Sequence, residues 1–236
     1  MITLLVPVFE EKNNISNFVN KTCEILKDID FKILFVDDNS KDGSINELEN
    51  ICKNFSYVNY IIRKAPNRDL TESLKLGILN IDSNLICVTD CDLQHDLKKI
   101  PKMISKVLKD NYDLVIGSRF LNNNKKIGLS FRRKLSSKIG IYLSKFVGIK
   151  NLSDPLSGFF VVKTNIIKNL IGEIDSKGFK LLLSLLFVSG DKIKICEIDT
   201  DFFFRKEDKS KLDFKIKIIF LKQLMKIFIK KIKKKW

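Results

Sequence analysis

Residues 86–96 read Ile-Cys-Val-Thr-Asp-Cys-Asp-Leu-Gln-His-Asp, and the fold turns on what an apolar run ending in two aspartates does. A short β-rich run over 85–89 bounded by acids is a buried strand that delivers polar side chains at its carboxyl end. Residues two apart on an extended segment project to one side, so Asp90 and Asp92 form a carboxylate pair able to hold a divalent cation. Hard oxygen ligands without His or Cys favour magnesium or manganese, and Gln94 adds a carbonyl oxygen. Taken alone the pair leaves alternatives open: an acidic turn in solvent needs no function, and a phosphorylated receiver domain also gathers acids at strand ends.

Outward from this stretch, apolar runs at Ile2–Val8, 32–36, 57–62 and 114–117 alternate with helical patterns as far as Arg119. Such alternation predicts βα units around a mostly parallel sheet. In the first helix Asn13 reads as the N-cap, with Ile15, Phe18, Val19, Thr22 and Leu26 at helical spacing. Further helices are predicted near 43–53, 69–80 and 97–110. Three strands end in polar clusters, at 7–11, 37–40 and 90–92. Ligands of open α/β sheets bind at the carboxyl ends of strands, so the three clusters describe one crevice.

Beyond Arg119 the rhythm changes. Residues 121–128 are polar and read as a mobile loop. Phe131–Phe146 reads as a helix with Arg132, Arg133 and Lys134 in its first turn, where the macrodipole disfavours cations. An anionic ligand, a membrane or plain solvated surface would each account for them. Asp154-Pro155-Leu156-Ser157-Gly158 is a turn into a strand over 159–162, and another strand is predicted through 193–203. No internal repeat is present.

With 236 residues, 44% of them hydrophobic, the chain can bury one substantial core. The net charge is +15, and residues 209–236 contain eleven Lys against one Asp, so the tail carries most of the excess. On charge alone it suits nucleic acid or an anionic membrane equally. Residues 213–236 place Ile218, Ile219, Leu221, Leu224, Met225, Phe228, Ile229 and Ile232 beside Lys222, Lys226 and Lys230, and end in Lys233-Lys234-Lys235-Trp236. This is a basic amphipathic helix, suited to a membrane interface or to packing on its own domain or a partner. Five Cys without a CxxC pair, and His95 as the only His, support neither a zinc site nor a disulfide framework. A reducing cytosol is the default. The start MITLLVPVFEEK lacks the features of a signal peptide. The longest charge-free apolar stretch, 181–190, is too short to span a bilayer, so no transmembrane helix is expected.

The segments Pro7-Val8-Phe9-Glu10-Glu11, VDDNSKDGS at 36–44, RDLTESLKLGI at 68–78, VTDCDLQHD at 88–96 and GSRF at 117–120 follow the order and spacing of family 2 glycosyltransferases. Over residues 2 to about 212 the chain resembles that family, and within it the dolichyl-phosphate mannose synthase and polyprenyl-phosphate branch. The more specific elements are Arg133-Lys134-x-x-Ser137, DPLSGFF at 154–160, and Arg205 followed by Lys211. The resemblance implies a GT-A nucleotide-diphospho-sugar transferase fold, with a Rossmann-like sheet over residues 1–212 and the helix of 213–236 appended. It implies inverting transfer of a hexose, mannose favoured, from GDP-mannose or a UDP-hexose to dolichyl or polyprenyl phosphate, with Mg2+ or Mn2+.

Carried over by position, Pro7, Phe9, Glu11, Val36 and Asp38 would line the nucleoside pocket. Asp90, Asp92 and Gln94 would ligate the metal, with the backbone at Thr89 and Cys91 touching the donor. Arg119, Arg205 and Lys211 would clamp phosphate, and Arg133 and Ser137, with Arg119, would face the acceptor phosphate. The basic amphipathic tail points to peripheral association with the cytoplasmic face of a membrane or to a membrane-protein partner there, and no nucleic acid is expected as a partner. The chain departs from the family pattern in carrying Phe9 for Tyr, Asp96-Leu97 for two prolines, and Asp208-Lys209-Ser210-Lys211 for Gly-Glu-Ser-Lys. Asp96 reads as a helix cap. Two rival readings stand beside this one. A transferase acting on a glycan or protein hydroxyl would need a carboxylate base, for which Asp154 is available. A nucleic-acid-binding module explains the charge but not the acidic strand ends.

Overall fold

A computed structural model describes residues 1–122, 128–129, 131–146, 148–149, 151–174, 180–204 and 214–233, except the side chains of 131–133, 214–219 and 230–233. The predicted loop at 121–128 falls largely outside these residues.

Among the described residues seven strands form one sheet: β1 Ile2–Val8, β2 Phe31–Asp37, β3 Val58–Ile62, β4 Leu85–Val88, β5 Leu114–Ser118, β6 Phe160–Lys163 and β7 Ile195–Asp199. Their spatial order is β3-β2-β1-β4-β6-β5-β7. β1 pairs in parallel with β2 and β4, β2 with β3, and β5 with β7. Only β6 runs antiparallel, wedged between β4 and β5. The expected mostly parallel sheet is thus observed, and its carboxyl edge collects the ends of β1, β2, β4 and β5.

The helices are α1 Lys12–Ile25, α2 Ser44–Asn54, α3 Leu70–Leu79, α4 Ile100–Leu108, α5 Phe131–Phe146, α6 Thr164–Leu170, α7 Leu181–Ser189 and α8 Phe214–Lys233. They cover both faces of the sheet, which is why its inner strands are mostly apolar. Period-two alternation divides the core into two layers. Leu4, Val6, Ile33 and Phe35 pack with Ile15, Phe18, Leu48 and Met103, whereas Leu5, Leu34 and Val36 face Leu74, Ile78 and Leu183. Truncating one such Leu to Ala costs about 2–5 kcal/mol through lost transfer energy and the cavity left behind.

Several local expectations are corrected. Glu11, not Asn13, occupies the N-cap of α1, and its side chain makes no capping bond. The loop is fixed instead from the start of α2 and the turn before it, where Ser44 Oγ accepts the Glu11 N–H at 2.9 Å and Asp42 Oδ2 the Lys12 N–H at 3.1 Å. Asp96 does cap a turn, accepting the Lys98 N–H at 3.2 Å, but that turn is a 3-10 segment at Leu97–Lys99 preceding α4. The strand predicted through 193–203 is regular only over β7. α7, read only as an apolar stretch, is a core helix buried on nearly every side, as helices that are apolar all round must be.

α8 buries Gln223, Leu224 and Ile227. Gln223 Nε2 donates to Lys180 O at 3.0 Å and to Ser184 Oγ at 2.8 Å, pinning α8 to the start of α7. Its other face exposes Leu221, Met225, Phe228 and Ile229, and α5 nearby exposes Leu135, Ile139, Tyr142 and Phe146. Among the described residues no helix is long and apolar enough to cross a membrane.

Candidate active site

A cavity of about 770 Å³ opens at the carboxyl edge of the sheet. Pro7, Phe9 and Glu11 reach it from the end of β1, Asp38 from β2, Asp90, Cys91, Asp92 and Gln94 from β4, and Arg119 from β5. Ser137 of α5 lines it as well. One residue assigned to the nucleoside pocket does not: Val36 is fully buried and absent from the wall, while Thr89, assigned through its backbone, has a buried side chain. Strand alternation turns Val36 into the α3 layer of the core. Arg205 and Lys211 lie outside the described residues, as does the side chain of Arg133.

The loops forming the nucleoside end are latched to one another. Asp37 accepts the Ser40 N–H at 2.8 Å and the Ser40 hydroxyl at 2.5 Å, and Ser40 Oγ accepts the Glu10 N–H at 2.8 Å. Burial raises the Asp37 pKa, with the Ser40 hydrogen bonds opposing it. Asp38 is held by Arg63 Nε at 2.7 Å on Oδ1 and by the Asp69 N–H at 2.8 Å on Oδ2. Those bonds leave lone pairs on a carboxylate that has about four acceptor sites. Across the opening, the Arg68 guanidinium lies 4.3 Å from the centroid of the Phe9 ring, a cation–π pair. Sequence reasoning singled out neither Arg63 nor Arg68.

Asp90 and Asp92 do share a wall, but not through strand alternation. β4 ends at Val88, and both acids sit in a turn that continues into Leu93 at φ 55°. Asp92 Oδ1 closes the turn by accepting the Gln94 N–H at 3.1 Å. Gln94, 3% exposed, donates Nε2 to Phe203 O at 2.9 Å and accepts the Phe203 N–H on its main-chain oxygen at 2.8 Å. These two bonds fix the Gln94 amide against Phe203. Among the described residues no group of three or more His, Cys, Asp or Glu side chains could hold a metal. Two carboxylates and an amide oxygen do not complete a shell. They fit a hard cation that takes its remaining ligands from diphosphate oxygens and water, the usual arrangement for magnesium at phosphate sites.

Arg119 stands beside this turn. Its Nε and Nη2 donate to Asp154 Oδ2 and Oδ1 at 2.7 and 2.8 Å, and its main-chain N–H reaches Oδ2 at 3.2 Å. Asp154 is 0% exposed. Glu197 of β7 fixes its backbone, accepting the N–H groups of Ser153 and Asp154 at 2.7 and 2.8 Å. Burial opposes charge on the guanidinium, but Asp154 and then Asp90 outweigh it and raise the Arg119 pKa. Arg119 is therefore a permanent cation with one edge on Asp154, leaving Nη1 outside that pair.

Past Ser137 the cavity becomes mostly apolar, bounded by Ile139 and Leu143 of α5, Leu181 and Leu182 of α7, and Phe220 of α8, with Lys180 at the start of α7 also on its wall.

A crevice at a topological edge, with an aromatic and acids at one end, an acid pair and a fixed arginine at its centre, defines a nucleotide- and phosphate-handling α/β protein. The chain belongs to glycosyl transferase family 2, whose sequence model matches residues 3–171. Among curated relatives, dolichol-phosphate mannosyltransferase of Pyrococcus furiosus is 27% identical over 96% of this chain and 63% of the relative. The chain thus spans less than two thirds of that protein. The Saccharomyces cerevisiae dolichol-phosphate mannosyltransferase is 28% identical over 96% of this chain and 86% of its own length. Among solved structures, glucosyl-3-phosphoglycerate synthase of Mycobacterium tuberculosis with Mn2+, UDP and glucosyl-3-phosphoglycerate superposes with a TM-score of 0.67 at 16% identity, covering 98% of this chain and 79% of that one. The fold is the GT-A glycosyltransferase fold.

Proposed function

We propose that the protein transfers a hexose, with inversion, from a nucleotide-diphosphate sugar to dolichyl or another polyprenyl phosphate, assisted by Mg2+ or Mn2+. The observation that carries this reading is the composition of a single cavity, polar at the sheet edge and apolar between α5, α7 and α8. A donor diphosphate suits the first end and an isoprenoid chain the second. The curated relatives named above are mannosyltransferases of dolichol phosphate, which favours mannose and GDP-mannose over a UDP-hexose.

Asp90, Asp92 and Gln94 would hold the cation, whose chemistry is to neutralise charge developing on the diphosphate leaving group. Arg119, kept cationic and oriented by Asp154, adds a fixed positive charge beside the same phosphates, with Arg205 and Lys211 proposed as further clamps. Phe9 and Arg68 offer faces to the base, and Asp38 and Glu11 acceptors to the nucleoside. Ser137 and Arg133, on α5, would meet the acceptor phosphate. That phosphate is already ionised near neutral pH, so its attack on the anomeric carbon needs no general base. This matters because Asp154, the base a hydroxyl acceptor would call for, is buried and holds Arg119 with both oxygens. The glycan or protein hydroxyl reading is correspondingly weaker.

The exposed apolar residues of α5 and α8 alternate with exposed Lys134, Lys138, Lys222 and Lys226. Each Lys near an anionic leaflet contributes about 1 kcal/mol, so this face supports peripheral attachment to the cytoplasmic side of a membrane, or to a membrane protein there. The deciding assay offers radiolabelled GDP-mannose and UDP-glucose, with polyprenyl phosphate or a glycan as acceptor, with and without EDTA. Metal-dependent formation of a chloroform-soluble mannosyl lipid is expected. Product only on the glycan, or turnover undiminished by EDTA, would overturn the proposal.

A further inference from the structure

His95 is the only histidine in the chain and has no part in the transfer just described. It lines the cavity yet is only 5% exposed. Its ring is gripped from two sides, stacking on Phe159 at 5.2 Å between centroids with an interplanar angle of 23°, and meeting the edge of Phe202 at 5.3 Å and 71°. Its main chain forms an antiparallel bridge with Phe202. From this fixed position Nε2 lies 3.2 Å from Asp90 Oδ2. An ionised carboxylate only accepts hydrogen bonds, so Nε2 carries the proton in this contact. Gly158 packs over the same bond: a Cβ there would stand 3.4 Å from Nε2 and 3.5 Å from Asp90 Oδ2, ordinary contact distances.

The Asp90 side chain is 48% exposed and follows the last residue of β4 by two positions. A half-exposed carboxylate in a turn has rotational freedom that a metal ligand must lose on binding. A rigid donor on one oxygen restrains that rotation beforehand, the way outer partners orient metal ligands in general.

We propose that His95 is a positioning residue for the metal site, its Nε2–H holding Asp90 Oδ2 and so fixing the orientation of a carboxylate that would ligate the cation. This rests on the metal-dependent reading given above.

The test separates the ring from its donor. H95F keeps an aromatic between Phe159 and Phe202 and removes the hydrogen bond, H95Q keeps a donor near the Nε2 position, and H95N carries an amide too short to reach it. Mn2+ affinity is measured on the full chain from the EPR signal of free Mn2+, alone and with GDP or UDP, beside a melting temperature for each variant. Expected are a loss of Mn2+ affinity of about 10- to 100-fold in H95F, recovery of most of it in H95Q, and a weak H95N. Should H95F fail to fold, the H95Q and H95N pair makes the same comparison. Wild-type affinity in H95F, or equal affinity in H95Q and H95N, overturns the role of His95 while leaving the metal site standing. Absence of Mn2+ binding by the wild type under all three conditions overturns the metal site and this inference together.

Discussion

Replacing Asp154 by Ala removes, in one step, both oxygens that hold the buried Arg119 side chain. The side-chain exposures are 10% for Arg119 and 0% for Asp154, so water cannot substitute freely for the lost partner. Three bonds disappear, from Nε, Nη2 and the Arg119 main-chain N–H. Leaving one member of a buried ion pair uncompensated costs about 3–5 kcal/mol. In a chain of this size each kcal/mol lowers Tm by about 2–4 °C, so a fall of about 6–20 °C is expected. Asp154→Asn, which preserves shape and one acceptor oxygen, should fall less. The double variant Arg119→Leu with Asp154→Leu should be more stable than Asp154→Ala, because both charges leave together. Denaturant titration and thermal melts of the four proteins measure this directly. The reasoning is refuted if Asp154→Ala lies within about 1 kcal/mol of wild type, the range of an exposed ion pair, or if the double variant is the least stable of the set.

Two other outcomes follow from single contacts. Burial alone would raise the Asp113 pKa, but the Lys163 ammonium at 2.8 Å and the Lys194 N–H at 2.9 Å outweigh it and lower the value below 3.8. A depressed folded-state pKa contributes stability that is present above the unfolded value and lost as pH falls through the folded one. Asp113→Asn should therefore be less stable than wild type by about 1 kcal/mol at pH 7, with the gap closing below about pH 4, as urea titrations over that range would record. For the membrane face, deleting α8 is a poor probe, because Gln223, Leu224 and Ile227 are part of the fold. Changing exposed Met225, Phe228 and Ile229 to Ser should instead abolish flotation with anionic liposomes at unchanged Tm, and undiminished flotation would count against that face.

The sheet was legible in the sequence wherever an apolar run ended in acids, since a strand buried on both faces has little choice of composition. β1 was bounded to the residue, and β2, β3, β4 and β5 to within one at either end. The place of β6 was not legible, because periodicity reveals a strand but not its neighbours. α7 was missed as a helix for a related reason: LLLSLLFVS is apolar on every face and carries no 3.6-residue signal. At the site, the motifs identified the side chains that reach the cavity but not what holds them. Arg119 meets Asp154 across 35 residues, and Gln94 meets Phe203 across 109, separations that only the tertiary fold closes. Val36 erred in the opposite direction. It belongs to the right segment, but its side chain is buried in the core and only its neighbours look outward. His95 sat inside a recognised segment without a role, and its Asp90 contact suggests one.

The central claim is that the aspartates at 90 and 92 seat a cation against the donor diphosphate. Its most direct test is calorimetric titration of GDP and UDP into wild type and Asp92→Asn, each with Mn2+ and with EDTA. The Asn side chain retains an oxygen for the Gln94 N–H, so the turn and the melting temperature should survive. The account predicts nucleotide binding that needs Mn2+ in wild type and loses that dependence in the variant, with transfer slowed by about 10²- to 10³-fold, as when one electrostatic contact to the leaving group is removed. Nucleotide binding equally tight with EDTA, or unaltered by Asp92→Asn, would contradict it.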